Sequence, residues 1–217
     1  MPINGKVNAG AGDFEPVAAG PHIAVCDIVA DLGMQPGSAL YPRPKQKVLI
    51  RFELPGERVE FERDGKKQSG PAVISQIYTL SMNEKANLRH TLEGWRGRAF
   101  SDDEAEKFDV ASILGKPCMI NVVHNKKGDK TYSNISSISG IPKGMNKTIL
   151  PEMTPIYYAA DDISKYAILP DWIKKIIDGQ IIEQKQDPDP ASVDPGGEAP
   201  PGYAYDGTEI SDDDIPF

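Results

Sequence analysis

The sequence predicts a mainly β domain, a five-stranded antiparallel barrel with a helix between its third and fourth strands. Three observations predict it. Apolar and polar residues alternate in five segments spread between Ile23 and Ile138. The pattern changes to a helical spacing between the third and fourth of them. Turn signals rich in Gly, Pro and Asp separate the segments, and the 217 residues include 20 Gly and 19 Pro.

The first strand is expected over Ile23–Leu32, with Ala24, Cys26, Ile28, Ala30 and Leu32 on one face. Its other face mixes Val25 and Val29 with Asp27 and Asp31, a mixture that a bulge would explain. A loop from Gln35 to Lys45 follows. The second strand alternates cleanly, placing Val48, Ile50, Phe52 and Leu54 inward and Lys47, Leu49, Arg51 and Glu53 outward. Val59 and Phe61 carry it towards Asp64-Gly65, a turn pair. The third strand is read at Ile74–Met82. Ser81 and Glu84 have the spacing of a capping box, and Leu88, Leu92 and Trp95 form the apolar stripe of the helix behind it. Ser101 and Glu104 repeat that box before a second short helix that buries Phe108. The fourth and fifth strands are read at Cys118–His124 and Thr131–Ile138, joined by a loop over 125–130.

Three strands, a helix and two strands is the order of the OB-fold, a partly open barrel. Small antiparallel α+β folds share the order. Residues 1–20 read as an N-terminal arm, 21–145 as the barrel, and 146–182 as an extension ending in a helix. That helix opens at Pro170, buries Trp172, Ile173, Ile176 and Ile177, and stops at Gly179. Residues 183–217 hold six prolines and few large apolar groups, too little burial to offset ordering entropy, and are expected to be disordered.

Charge is divided unevenly. The formal net charge is −8. Residues 183–217 carry ten acids against one base, Lys185, for −9, which leaves +1 on residues 1–182. The acidity belongs to the tail and excludes nothing about the body. No apolar run reaches the ~20 residues of a membrane-spanning helix. The N-terminus lacks a secretory pattern and two cysteines make no disulfide framework. A soluble cytoplasmic protein with reduced thiols is expected.

The chain ends Asp212-Asp213-Asp214-Ile215-Pro216-Phe217. This ending resembles the acidic C-terminal tip of bacterial single-stranded DNA-binding proteins, which recruits replication and repair enzymes. The resemblance covers only these last residues. The physics agrees with such a role: Phe217 offers a ring beside a carboxylate, Pro216 stiffens the end, and the aspartates steer it towards a basic rim. Tyr78-Thr-Leu-Ser81, Leu88-Arg89 and Trp95-Arg-Gly-Arg98 are similar to a block in phage-encoded proteins of replication modules. Together these resemblances imply a bacteriophage single-stranded DNA-binding protein acting in replication, recombination or repair inside a bacterial host. Its partners would be single-stranded DNA and host or phage enzymes. They leave self-association open.

Such a protein needs a basic groove with flat side chains for bases to stack on. OB-folds supply it from strands two and three and the loops joining strands one–two and four–five. Those places hold Tyr41, Arg43, Lys45, Lys47 and Arg51, then Lys126, Lys127, Lys130 and Tyr132. Arg96 and Arg98 flank a flexible Gly97, placed to meet phosphates or to close the helix end. Trp95 belongs to the core stripe. Cys26, Cys118, His22 and His124 do not combine into a metal site, because extended strands hold the pairs more than roughly 10 Å apart. Asp102, Asp103 and Glu104 suit a helix start better than a nuclease centre. No catalytic role, cofactor or metal is expected. The rivals are an interaction protein that presents the tip as a decoy without binding DNA, and a metal-dependent nuclease. If the barrel is right, Cys26 and Cys118 lie on neighbouring strands, buried and reduced.

Overall fold

The computed structural model describes residues 16–37, 42–63, 66–128, 130–145, 149–159 and 162–181, with Glu62, Arg63 and Ile163 described by their backbone alone. Tyr41, the acidic tail and its Asp212–Phe217 tip lie outside these residues, as does the arm before Pro16.

Six strands form one sheet: β1 (Gly20–Gln35), β2 (Lys45–Arg63), β3 (Lys66–Thr79), β4 (Pro117–Lys127), β5 (Lys130–Ser139) and the short β6 (Ile156–Tyr158). The spatial order is β3-β2-β1-β4-β5, antiparallel throughout, and β6 joins β1 in parallel. β3 and β5, the two ends of that path, curl towards each other. This is an OB-like half-barrel, with strands longer than their apolar cores indicate.

Helix α1 (Asn87–Arg96) sits between β3 and β5. Leu88 and Leu92 are buried, and the Trp95 ring lies 5.6 Å from that of Phe52 while its Nε1 donates to the Pro117 carbonyl at 3.0 Å. The helix comes so close to β5 that a Cβ on Gly94 would stand 2.7 Å from the Ile138 carbonyl. The Ser81 box does not cap it. The N-cap is Ala86 without a side-chain bond, and Ser81 Oγ instead accepts from the Asn83 amide in a local turn. The second box is real: Ser101 and Glu104 exchange both bonds at the start of α2 (Asp102–Glu106).

The first strand changes face halfway. Ala24 and Cys26 point into the barrel, a register shift follows between Cys26 and Ile28, and Val29 then takes the inward place. Ile28, Ala30 and Leu32 are therefore turned outward, not inward with Ala24 and Cys26 as strict alternation expects. A bulge inverts every later side chain. These three residues with Leu49 form a second core, closed from outside by Tyr158, Leu169, Ile173 and Ile177. The cover consists of β6, α3 (Ile163–Ile168) and α4 (Asp171–Asp178). In α4, Ile173 and Ile177 face this core at i and i+4, while Trp172, expected with them, is 40 % exposed.

Cys26 and Cys118 behave as the barrel topology requires. Cys118 faces Ala24 across the β1–β4 ladder, and both thiols are free, fully buried and in one core. Burial pushes both thiols well above their ordinary range, which keeps them protonated and inert.

The outer face of β2 is buried too. Arg51, expected in solvent, is 8 % exposed and donates to Asp27, itself fully buried, at 2.6 Å. Glu53 is fully buried and accepts the backbone amides of Glu152 (2.7 Å) and Met153 (2.9 Å). These groups pin the segment leading to β6 onto the sheet. Arg51→Met strands the Asp27 carboxylate, and we expect a loss of about 3–5 kcal/mol in denaturant unfolding. Adding Asp27→Leu should recover most of it, since a buried pair is replaceable by apolar groups while a lone charge is not. A cost below about 1 kcal/mol for Arg51→Met would remove the pair as an anchor.

Candidate nucleic-acid interface

The strand register fixes where the basic residues lie. β1 pairs through Val25 with Glu53 on one side and Pro117 on the other, and ends beside Lys45. The β1–β2 loop therefore leaves one end of the sheet. The β2–β3 and β4–β5 hairpins both run past Gly20 at the other end. The outer face of the sheet lies between the two ends.

The sequence reading assigns Lys47 and Arg51 to that face as phosphate contacts. Arg51 is not available for it, because its guanidinium is spent on Asp27 beneath the cover, with Met153 Sδ at 3.9 Å. Lys47 is half-buried and donates to Thr79 Oγ1 at 2.8 Å. Arg43 is exposed beside the β1–β2 loop, and Lys45 opens β2 half-buried. The period of two that groups Lys45, Lys47 and Arg51 is real, but the extension covers one end of their row.

Arg96 and Arg98 are held by the protein as well. Gly97 between them is not a flexible link: at φ 74° it closes α1, its amide bonded to the Glu93 carbonyl. Arg98 grips Glu104 at 2.6 and 2.9 Å, and Arg96 reaches the same carboxylate at 3.4 Å while lying 4.0 Å over the Phe100 ring. Of the acids beside it, Asp102 faces Arg89 at 3.4 Å. These arginines organise the turn between α1 and α2.

The β4–β5 hairpin differs. Its strands run on to Lys127 and from Lys130, so Asn125 and Lys126 belong to the ladder and not to a wide loop, with Gly128 in the turn at φ 63°. Residues opposite each other in an antiparallel pair share a face. Lys127 opposes Lys130, Asn125 opposes Tyr132 and Val123 opposes Asn134, all six exposed on one side. Tyr132 is 48 % exposed and Val123 36 %. Two lysines at the tip, then a ring, then a small apolar step make one strip. Lys126 is exposed on the opposite face. The hairpin is braced at its base, where His124 Nε2 and Ser133 Oγ both bond the Val17 carbonyl, at 2.7 and 3.0 Å.

Sequence reasoning missed Lys66 and Lys67. They are exposed on the β2–β3 hairpin, at the same end of the sheet as the strip. The third strand was expected to begin only at Ile74, because residues 66–71 lack apolar alternation. The Asp64-Gly65 pair was the available signal, since a tight turn there implies a strand immediately behind it. Among the described residues no helix is long and apolar enough to cross a membrane. No protein-family model matches the chain, and no curated protein matches it in sequence.

The Arg–Glu104 cluster has a pH signature. Hydrogen bonds from Arg98, joined by the Ser101 amide and Arg96, lower the Glu104 carboxyl from 4.5 to about 2. The depressed value means that its contribution is complete above about 4.5 and is lost as pH falls towards 2. We expect Glu104→Gln to flatten part of the acid limb of a stability–pH profile in that window, and 1 M NaCl, whose Debye length is about 3 Å, to shrink the difference. Parallel acid limbs for the two proteins would show that the cluster contributes nothing.

Proposed function

We propose that this protein binds single-stranded DNA without sequence preference through the hairpin end of its barrel. The observation that carries the reading is the exposed strip of Lys127, Lys130 and Tyr132. Flexible single strands are held by cations that follow the phosphates and by rings on which bases stack, and both occur here on one face at ladder spacing. Lys126, Lys66 and Lys67 add positive charge at the same end, and Arg43, Lys45 and Lys47 at the other. Phosphate contacts carry no base information, so affinity would be general and salt-dependent.

The segment Asp212–Phe217 supplies the second half of the function. An acidic run followed by Ile-Pro-Phe suits a partner pocket with an apolar floor and a basic rim, and would bring replication, recombination or repair enzymes to the coated strand. In this reading the protein is a phage-type single-stranded DNA-binding protein of the host cytoplasm, with no chemistry of its own.

Titration of fluorescent dT oligonucleotides across salt tests the first half. Lys127→Glu with Lys130→Glu should weaken every sequence alike and lower the salt slope by about 1.4, at roughly 0.7 per lost single-strand contact. Tyr132→Ala should cost about 1–3 kcal/mol of affinity with the slope unchanged. Conversely, unaltered binding by both variants would remove the hairpin from the site. An intact protein that ignores oligonucleotides at low salt would favour the decoy reading.

A further inference from the structure

A cleft of about 450 Å³ opens where α1, α2 and the 3₁₀ turn Val110–Ile113 meet, within the roughly 300–1,000 Å³ of small-molecule sites. Its wall is aromatic. Trp95, Phe100 and Phe108 line it, the last two rings edge to face at 4.9 Å. Its rim carries both signs: Lys107 and Lys116 are exposed there, and so is Asp109. Oδ1 of Asp109 accepts the Ala111 amide at 2.9 Å and caps the turn, while the other oxygen takes no hydrogen bond among the described residues. Glu104, the second acid of the lining, is shared by Arg96 and Arg98. The cleft therefore offers flat apolar faces, two long-stemmed cations and one carboxylate oxygen without a donor.

We infer that this cleft binds a free nucleoside phosphate, with the base against the rings and the phosphate held by Lys107 and Lys116. Three features of the site select that class together. Aromatic walls favour a flat π-system, and every base presents one. Two ammonium groups at the mouth favour an anion, and lysine is a common partner of phosphate. The second Asp109 oxygen can accept one more hydrogen bond, which a base amine or a sugar hydroxyl supplies. An acidic peptide would answer the lysines but bring further negative charge against Asp109. A fatty acid would answer them too, and would give Asp109 no donor. The site is separate from the hairpin proposed to hold DNA. β4 starts at Pro117, next to Lys116 of the cleft, and its 11 residues reach Lys127 near the hairpin tip, about 35 Å away at ~3.3 Å per residue. The inference therefore does not rest on DNA binding.

The test is titration of the full chain carrying Trp172→Phe, which leaves Trp95, in the cleft wall, as its one tryptophan. AMP should change Trp95 emission saturably, with a Kd below about 1 mM. Adenosine, without the charge-assisted bonds, should bind at least about tenfold more weakly. Lys107→Gln with Lys116→Gln should weaken AMP at least about tenfold and leave adenosine unchanged. Asp109→Asn, which keeps an acceptor for the cap, should weaken AMP and adenosine by the same factor. Lys127→Glu with Lys130→Glu should alter neither. A Kd for AMP above about 1 mM, an equal affinity for inorganic phosphate alone, or indifference to Lys107 and Lys116 would overturn the inference. Loss of AMP binding in the hairpin variant would do the same, by placing the ligand at the DNA-binding end. A dT oligonucleotide that displaces AMP from that hairpin variant would make the cleft a contact for the strand and overturn the free-ligand form. AMP held by Lys107 and Lys116 in a protein that ignores oligonucleotides would support this site while removing the DNA reading.

Discussion

Three buried charges on the outside of the barrel, Asp27, Arg51 and Glu53, govern the rest of the structure. None tolerates burial alone. Asp27 and Arg51 neutralise each other, and Glu53 takes two backbone amides from the segment that leads to β6. Those amides need an acceptor and the carboxylate needs donors, and the observed placement of the segment satisfies both. Such a pairing adds little net stability over an apolar substitute, but losing one partner leaves the other buried and unpaired. The apolar second core beside it, Ile28, Ala30, Leu32 and Leu49 under Ile173 and Ile177, supplies the driving force at about 1.5–3 kcal/mol for each fully buried Ile or Leu.

The cover has a functional consequence. An OB-fold commonly offers the open face of its second and third strands to a ligand. Here the middle of that face is roofed, and only β3 keeps exposed apolar groups there, Val73 and Ile77. The cations that the roof leaves accessible sit at the two ends of the sheet, and the hairpin end combines them with a ring. The same economy recurs at Arg96 and Arg98, which look like phosphate contacts in sequence and are committed to Glu104 in space.

Much of the barrel is legible in the sequence because β2, the α1 stripe and the Ser101 box follow the periods that burial imposes. The two cysteines extend this to topology, since two small apolar thiols read on the first and fourth strands meet in one core. What is not legible depends on distant contacts. The bulge after Cys26 is signalled only by the misplaced Asp27 and Asp31, and its effect on Ile28 is invisible until the cover is known. Alternation marks Arg51 as outward, which is correct, but outward means solvent only where nothing packs on top. The residues that pack there are about a hundred positions away, at Glu152 and Met153. For the candidate site, the hairpin lysines and Tyr132 are legible as types, and the arrangement of Lys127, Lys130 and Tyr132 on one face, with Lys126 on the other, follows from a turn tighter than the loop expected. Tyr41 and the Asp212–Phe217 tip fall outside the described residues.

In the proposed function the hairpin end, and not the roofed sheet, meets single-stranded DNA. Lysine acetylation of the whole protein, with and without saturating dT oligonucleotide and read residue by residue, tests it most directly. Binding at the hairpin end should protect Lys126, Lys127 and Lys130 together with Lys66 and Lys67, and leave Lys174 and Lys175 on the cover unchanged. Protection confined to the cover, or none at the hairpin despite measured binding, would contradict it.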